Sequence, residues 1–245
     1  MTSYEYLRWF TYPFLPVLYI RVRNDVKNLL KQSKIGSKEI NILDVGGRKS
    51  PYTIGIPAQI SLMDIPQENE TMKSLHLGFT DKLLDDVKER RSNVFDLIIE
   101  DMTQTTLPQN SYDGIICVEV LEHVENDEEF VKNLAKVLKP NGWAYLTTPN
   151  GDFIKNEGPN KNPDHKRHYT KQQLIDLLKS HFNEVEVNYA VKTGKYRVMG
   201  LKGFRKKKPW LLFKSVYANL VNRWQSKNVF DKSNGTAHLV AIVFK

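Results

Sequence analysis

Five short apolar runs, separated by helical or turn-forming segments, limit what this chain can fold into. The runs are INILDV (40–45), QISLMD (59–64), FDLIIE (95–100), YDGIICV (112–118) and WAYLTT (143–148). Their length and their β-branched content are typical of strands that are buried on both faces. Strands that alternate with helical patterns predict an α/β fold with a doubly wound, mostly parallel sheet.

Two helices and two further strands can be placed after these runs. Segment 126–142 has apolar residues at helical spacing and ends in Pro-Asn-Gly, which is a helix terminator. Segment 170–182 begins with Thr170 as a helix N-cap and has a second apolar stripe. Strands are then expected at 183–191 and 237–245.

We therefore predict one domain over residues 1–245, since the chain is long enough to bury one sizeable core. Its parts are an N-terminal helical and aromatic extension (1–38), a core (39–190), a basic amphipathic insert (191–236) and a final strand (237–245).

The positive charge of the chain is concentrated in the insert. Eleven basic residues and no acidic ones lie between Lys192 and Lys227, so the net charge of +8 leaves −3 for the rest of the chain. Within this segment an apolar stripe follows helical steps of three and four: Trp210, Phe213, Tyr217, Leu220 and Trp224. A basic helix with tryptophans favours contact with an anionic membrane surface through residues 192–230, with the N-terminal aromatic segment as a second contact. The alternative is a lid or dimer helix that packs on the domain.

The compartment follows from what the sequence lacks. It has no uncharged apolar stretch of 18 residues, no signal-peptide pattern, and a single cysteine, Cys117, inside a strand run. We expect a cytoplasmic protein, peripheral on the cytoplasmic membrane face.

Acidic residues end the first three strand runs. Asp44, Asp64 and Asp101 should meet at one edge of a parallel sheet, where like charges repel unless each has its own partner. A ligand that offers a cation, a diol and an amine would satisfy all three. The third glycine of a dinucleotide fingerprint is replaced by Pro51, which argues against a nicotinamide enzyme.

The succession of motifs resembles a known family. ILDVGG, LMDIP, EDMTQTTLPQNSYDGIICVEVLEHV, LAKVLKPNGWAYLTTPN and DHKRHYTKQQL are similar to motifs of class I S-adenosylmethionine (SAM)-dependent methyltransferases, in particular the branch with ubiquinone-biosynthesis O-methyltransferases. The resemblance covers about residues 40–190. It implies a Rossmann-like seven-stranded sheet of order 3-2-1-4-5-7-6, with SAM as cofactor and S-adenosylhomocysteine as product.

The resemblance also implies cofactor-binding residues. Asp44 and Gly46 would border the methionine moiety, Asp64 would take the ribose hydroxyls, and Asp101 with Met102 would face the adenine. Other cofactor contacts are expected from Gly47, Arg48, Ile65 and Glu119. Arg48 or its neighbour would meet the cofactor carboxylate; the alternative is that both are solvated loop residues.

Methylation of a hydroxyl requires that its proton be removed, and histidine is the usual base near neutral pH. The predicted catalytic candidates are His123, His165 and His168, all beyond strand ends. His181 and His238 are expected to be structural.

The spacing Glu119, Glu122, His123 would place three side chains on one face of a helical turn. They could bind Mg²⁺ or Mn²⁺, His123 could be the base, or the group could fix the loop; a metal is not expected.

The predicted function is methyl transfer from SAM to a hydroxyl of a small-molecule, sugar or lipid-linked acceptor. One alternative is a nucleic-acid (RNA) methyltransferase that uses the basic insert, although CVEVLEHV lacks the Asn/Asp-Pro-Pro-aromatic signature of adenine-amino methyltransferases. Another alternative is a catalytically silent SAM-binding protein.

Overall fold

The computed structural model describes residues 1–33, 39–47, 50–66, 87, 89–202 and 209–245. Within them, seven strands form one sheet of order β3-β2-β1-β4-β5-β7-β6, which confirms the predicted fold class and strand order. The strands are β1 (Asn41–Val45), β2 (Gln59–Asp64), β3 (Val94–Ile99), β4 (Tyr112–Val118), β5 (Leu138–Pro149), β6 (Glu184–Lys192) and β7 (Thr236–Phe244). β7 is antiparallel to β5 and β6, and the other neighbouring strands are parallel.

The described helices flank this sheet and include those expected from the sequence. They are α1 (Ser3–Thr11), α2 (Val17–Ser33), α3 (Asp127–Val137), α4 (Lys171–Lys179), α5 (Lys195–Lys202) and α6 (Pro209–Gln225). Thr170 caps α4 as predicted: its side chain accepts from the backbone N–H of Gln173. α3 ends at Val137 because Leu138 already pairs with Tyr112 of β4. None of the helices in the described part of the chain has the length and apolarity needed to span a bilayer.

Two apolar clusters cover the two faces of the sheet. One packs α3 and α4 against it through residues such as Leu134 and Leu174. The other packs α2 against it through residues such as Val22. Two polar contacts fix α2 on β5, where the indole of Trp143 donates to Ser33 Oγ (3.1 Å) and the hydroxyl of Tyr145 donates to Asp25 Oδ2 (3.0 Å). The rigid sheet therefore holds the carboxyl ends of β1, β2 and β4 in fixed positions.

The connection between β6 and β7 forms the pair α5 and α6, which lies against the N-terminal extension. Asn219 of α6 donates to the carbonyl of Phe14 (3.0 Å), and Asn222 donates to the carbonyl of Lys192 (2.7 Å). Ser215 donates to the carbonyl of Gly200 in α5. The parts of the chain before β1 and before β7 thus meet at the carboxyl edge of the sheet.

Candidate functional site

A cavity of about 310 Å³ lies at the carboxyl ends of β1 and β2, the position of ligand crevices in doubly wound sheets. Most of the cofactor-binding residues expected from the sequence line it: Gly46, Asp64, Ile65, Asp101 and Met102. Val120 and His123, from the segment after β4, close the opposite wall. The structure thus brings the acidic ends of two strands to one cavity.

Gly46 is required at this wall for two reasons. Its φ is +70°, a conformation that favours glycine, and a Cβ there would come within 2.4 Å of Val120 Cγ2. Gly47 packs against the carboxyl of Asp44: a Cβ on Gly47 would come within 2.6 Å of Asp44 Cγ. Both glycines therefore let the backbone after β1 approach its surroundings closely.

Asp44 is fully buried and does not line the cavity. Its Oδ2 accepts from the hydroxyl of Thr53 (2.9 Å), which in turn accepts from Arg91 Nη2 (2.9 Å). Among the described residues its Oδ1 has no hydrogen-bond partner. Burial raises the pKa of Asp44 to about 6, although Arg91 and Thr53 oppose the shift. Asp44 is thus a buried carboxyl with a raised pKa, packed behind Gly47. The predicted contact Arg48 lies outside the described residues.

The predicted trio Glu119, Glu122 and His123 does not share a helical face, so that prediction is wrong. The short 3-10 turn covers only Leu121–His123, and Glu119 precedes it with a φ of +55°. The side chain of Glu119 turns away and accepts from Thr147 Oγ1 (2.9 Å) and His238 Nδ1 (3.1 Å). Glu119 also does not line the cavity of Gly46 and Asp64, where it was expected.

Three imidazoles instead form one linked group on the other side of β4. His123 Nδ1 lies 2.9 Å from the carbonyl of Asp164, and His168 Nδ1 lies 2.7 Å from the carbonyl of Ile154. Since carbonyls only accept, both rings carry their proton on Nδ1. His168 Nε2 then accepts from His165 Nδ1 (2.7 Å). Burial and the two neighbouring rings lower the pKa of His165 to about 4, so this ring is neutral at pH 7.

A different set of ligand atoms meets here. One atom each from Glu122, His123 and His165 lies within 4.8 Å of the others. Glu122 is buried, its Oε2 has no hydrogen-bond partner among the described residues, and burial raises its pKa well above the usual value. Two roles are open for this group. Its side-chain atoms are close enough to hold a metal ion. It could instead fix the loop, since the backbone N–H of Lys166 donates to the Glu122 carbonyl (2.7 Å). The catalytic roles expected for His123, His165 and His168 remain predictions.

A second cavity, of about 160 Å³, lies on the α2 side of β4. Glu119, Arg197 and His238 form its polar wall, while Val17, Leu18 and Leu201 belong to its apolar wall. Glu119 and Val120 are consecutive, yet each lines a different cavity. Each cavity therefore has part of its wall in the segment that follows β4.

The sequence analysis missed His238 and Arg197. His238 was dismissed because it begins the last strand. β7 is antiparallel, however, so its first residues lie at the carboxyl edge of the parallel strands, with His238 opposite Pro149 of β5. The strand order implied by the resemblance already places β7 beside β5, and this signal would have moved His238 among the candidates.

Comparison with known proteins decides the family. A family model described as a methyltransferase domain matches residues 19–185, which is more than half of the chain. The chain belongs to the methyltransferase-domain family. Together with the sheet order, this confirms the predicted class I SAM-dependent methyltransferase domain.

Similar sequences carry a more specific description. A mitochondrial ubiquinone biosynthesis O-methyltransferase from Dictyostelium discoideum is 27% identical over 119 residues, 47% of this chain and 37% of that protein. A ubiquinone biosynthesis O-methyltransferase from Rickettsia akari is 32% identical over 117 residues, 46% of this chain and 41% of that protein. The matched part of this chain thus spans less than half the length of these curated relatives.

Solved structures agree on the fold. Phosphoethanolamine N-methyltransferase 2 from Haemonchus contortus, in complex with SAM, superimposes with a TM-score of 0.59 at 17% identity, over 91% of this chain and 52% of that one. A Thermotoga maritima SAM-dependent methyltransferase gives a TM-score of 0.54 at 14% identity, over 98% and 95% of the two chains.

The residues of the first cavity fit SAM. The Gly46 wall leaves room that a side chain would fill, and the carboxylates of Asp64 and Asp101 can accept hydrogen bonds from hydroxyl and amine groups. The volume lies in the range of small-molecule sites. SAM would supply an activated methyl group here, and the chain would supply its orientation.

We expect Asp64→Ala to weaken binding of S-adenosylhomocysteine at least about tenfold. The variant removes a charged acceptor, and hydrogen bonds to charged groups contribute at least about 1.5 kcal/mol. Isothermal titration calorimetry measures the change. Asp96→Ala is the matched control, because Asp96 is an exposed carboxylate on β3 outside the cavity. Unchanged affinity in Asp64→Ala, or an equal loss in both variants, would contradict the assignment.

Proposed function

We propose that this chain methylates a hydroxyl of a lipid-linked or lipid-soluble acceptor at an anionic membrane. The observation that supports it most is the orientation of α6. Its exposed face has Trp210, Phe213, Tyr217, Leu220 and Trp224, which are 69%, 71%, 59%, 45% and 71% exposed. Its packed face has Ser215, Ala218, Asn219 and Asn222, all buried.

This arrangement is the reverse of that in an ordinary surface helix, which buries its apolar stripe. The buried asparagines and serine are satisfied by carbonyls of Phe14, Lys192 and Gly200, so the helix is well seated despite its polar packed face. The alternative of a lid that buries the aromatic stripe therefore lacks support. Such a stripe, left in contact with water, indicates an apolar partner.

The charge near the exposed face of α6 favours one kind of apolar partner. The segment from Lys192 to Lys227 has only basic charges, so two copies of this face would repel each other. An anionic bilayer attracts basic residues by about 1 kcal/mol each and also accepts aromatic rings at its interface. Nucleic acid would attract the lysines but would leave this continuous apolar stripe without a role. An anionic bilayer satisfies both features.

The N-terminal extension offers a neighbouring apolar surface. α1 exposes Tyr6, Leu7, Trp9 and Phe10, and the turn that follows it contacts α6 through the Phe14 carbonyl. A bilayer that receives α6 would thus lie near further aromatic side chains. α6 adjoins the second cavity, which residues of α2, α5 and α6 line.

An oxygen acceptor is supported by two features. The similar proteins from Dictyostelium discoideum and Rickettsia akari are described as O-methyltransferases. Four imidazoles lie near the carboxyl edge of the sheet, in His123, His165, His168 and His238. A neutral imidazole can accept the hydroxyl proton, which contributes about 10²- to 10⁴-fold in rate.

The test uses vesicles and a labelled methyl donor. We expect faster transfer from SAM to a long-chain alkylphenol in phosphatidylglycerol vesicles than to the same compound in neutral phosphatidylcholine vesicles, because only the anionic surface recruits the protein. Dodecylamine in the same vesicles and a mixed RNA are the competing acceptors, and mass spectrometry identifies the methylated atom. Transfer to the amine or the RNA alone would contradict the proposal.

A further inference from the structure

The cavity of Glu119, Arg197 and His238 contains a chain of hydrogen bonds that fixes one imidazole for proton transfer. Arg197 Nη2 lies 3.1 Å from His238 Nε2, and His238 Nδ1 lies 3.1 Å from Glu119 Oε1. A guanidinium only donates, so Nε2 must accept and the ring proton must lie on Nδ1. His238 is therefore held as a neutral ring whose basic nitrogen faces Arg197.

The charges of this group balance before any ligand binds. Burial alone would raise the pKa of Glu119, but the hydrogen bonds from His238 and Thr147 and the positive charge of Arg197 lower it, so the carboxylate is ionised. Arg197 supplies the opposite charge. Burial lowers the pKa of its guanidinium, and the negative charge of Glu119 raises it. A carboxylate behind an imidazole stabilises the imidazolium that forms when Nε2 takes a proton.

Arg197 has unused donors. Among the described residues its hydrogen bond is to His238 alone, and it forms no salt bridge there. A guanidinium has five N–H groups, so most of them are available to an oxygen atom that enters the cavity. A hydroxyl that replaces Arg197 as the partner of Nε2 would give its proton to the ring, and the displaced guanidinium would donate to its oxygen and stabilise the negative charge that develops there.

The size of the cavity fits a ring. An apolar protein cavity of about 150 Å³ holds one benzene molecule, and this cavity measures about 160 Å³ with Val17, Leu18 and Leu201 among its walls. Its polar end is formed by the Arg197, His238 and Glu119 group. Shape and chemistry therefore suit a ring with a hydroxyl at one end.

Glu119 and the next residue, Val120, belong to the walls of this cavity and of the cofactor cavity, respectively. The φ of +55° at Glu119 is uncommon for a residue with a side chain and strains the backbone. The conformation directs Glu119 to one cavity while Val120 lines the other. Backbone strain of this kind is concentrated at functional sites.

We propose that the cavity of Glu119, Arg197 and His238 is the acceptor site, that it takes a ring-borne hydroxyl, and that His238 is the base. This inference rests on the proposed function, since it assigns the acceptor of that reaction. The O–H proton moves to His238 Nε2, the oxygen lone pair bonds the methyl carbon that SAM supplies as its sulfur–methyl bond breaks, and the positive charge ends on the imidazolium beside Glu119. Arg197 stabilises the developing oxyanion, and Glu119 is a positioning residue.

The first test needs no cofactor. A nitrophenol that ionises near neutral pH is titrated into the protein, and its visible absorbance reports the phenolate fraction. We expect the bound probe to ionise at lower pH than the free probe, and we expect Arg197→Met to abolish this shift. If the wild-type protein binds no phenol, or if Arg197→Met leaves the shift unchanged, the acceptor site is not here.

The second test compares two acceptors at pH 8. His238→Gln should methylate phenol about 10²- to 10⁴-fold more slowly than wild type, because phenol needs a base. It should lose less than about tenfold with the nitrophenol, which is already ionised. Glu119→Gln should lower kcat for phenol and leave KM nearly unchanged, whereas a structural role would impair both acceptors equally.

Matched variants distinguish the competing explanations. His181→Gln is the control, because His181 pairs with Glu128 away from both cavities and should keep full activity. A larger loss in His123→Gln, His165→Gln or His168→Gln than in His238→Gln would overturn the base assignment. Methylation of aniline but of neither phenol by the wild-type protein would instead overturn the proposed O-methylation itself.

Discussion

Replacing Trp210, Phe213 and Trp224 together by serine should lower partitioning into phosphatidylglycerol vesicles about 10²-fold. The three rings are 69%, 71% and 71% exposed, so their loss removes apolar area from the bilayer contact and little from the protein core. Fully burying a side chain of this size contributes about 1.5–3 kcal/mol, and partial insertion at an interface contributes about 1 kcal/mol for each ring. The sum, about 3 kcal/mol, corresponds to about two orders of magnitude.

Vesicle flotation measures this change, and Phe153→Ser is the matched control. Phe153 is 42% exposed in the loop after β5, so its removal tests the loss of an exposed ring away from α6. Salt provides a second readout. At 1 M ionic strength the Debye length falls to about 3 Å, which should remove the lysine contribution from the wild-type protein.

The outcomes separate the candidate partners of α6. Equal binding of wild type and triple variant to anionic vesicles would contradict the bilayer proposal. A wild-type dimer that dissociates in the triple variant, measured by light scattering, would assign the face to a second copy of the chain. RNA binding that survives the triple substitution would assign the lysines to nucleic acid.

Short apolar runs predicted most of the sheet from the sequence. β1, β2, β3 and β4 lie within one residue of their predicted bounds. The prediction that each run is buried on both faces is wrong for β3, which is the edge strand of the sheet and has Phe95 74% exposed. β5 begins five residues earlier than expected, at Leu138. The Pro-Asn-Gly segment, predicted to end the helix, is instead part of this strand: Asn141 adopts a φ of +61°, and the Gly142 carbonyl accepts from the backbone N–H of Lys245.

The apolar stripe of α6 was predicted correctly, but its orientation was open. A helical period shows that a stripe exists and does not say whether it faces the core. Here the decisive contacts are long-range: Asn219 reaches a carbonyl 205 positions earlier in the chain, and Asn222 one 30 positions earlier. No local pattern reveals such partners, because the carbonyls belong to other elements.

The acidic strand ends show the same limit. The prediction that these residues share one edge of the sheet followed from the parallel strands, and the structure places Asp64 and Asp101 at one cavity. Glu119 was misplaced because the i, i+3, i+4 rule requires a continuous helical turn, while a single residue at positive φ reverses the direction of its side chain. Antiparallel pairing of β7, which the apolar pattern does not encode, brings His238 to Glu119.

Replacing Asp44 by asparagine should increase the free energy of unfolding at pH 7, relative to that at pH 4, by about 2 kcal/mol. Asp44 is fully buried, and burial raises its pKa from 3.8 to about 6 in the folded protein. Between these values the folded state keeps a proton that the unfolded state has lost. The free energy of unfolding of the wild-type protein therefore falls as pH rises through this window.

The magnitude follows from the size of the shift, since each pKa unit corresponds to about 1.36 kcal/mol. The asparagine variant cannot ionise, so this part of the decline should disappear. Urea denaturation at pH 4, 5, 6 and 7 measures the difference between the two proteins. Asp176→Asn is the control, because Asp176 is exposed on α4. Parallel pH profiles for wild type and Asp44→Asn would show that Asp44 is ionised in the fold well below pH 6, held there by Thr53 and Arg91. In that case the carboxylate that packs against Gly47 would carry a fixed negative charge in place of a titrating one.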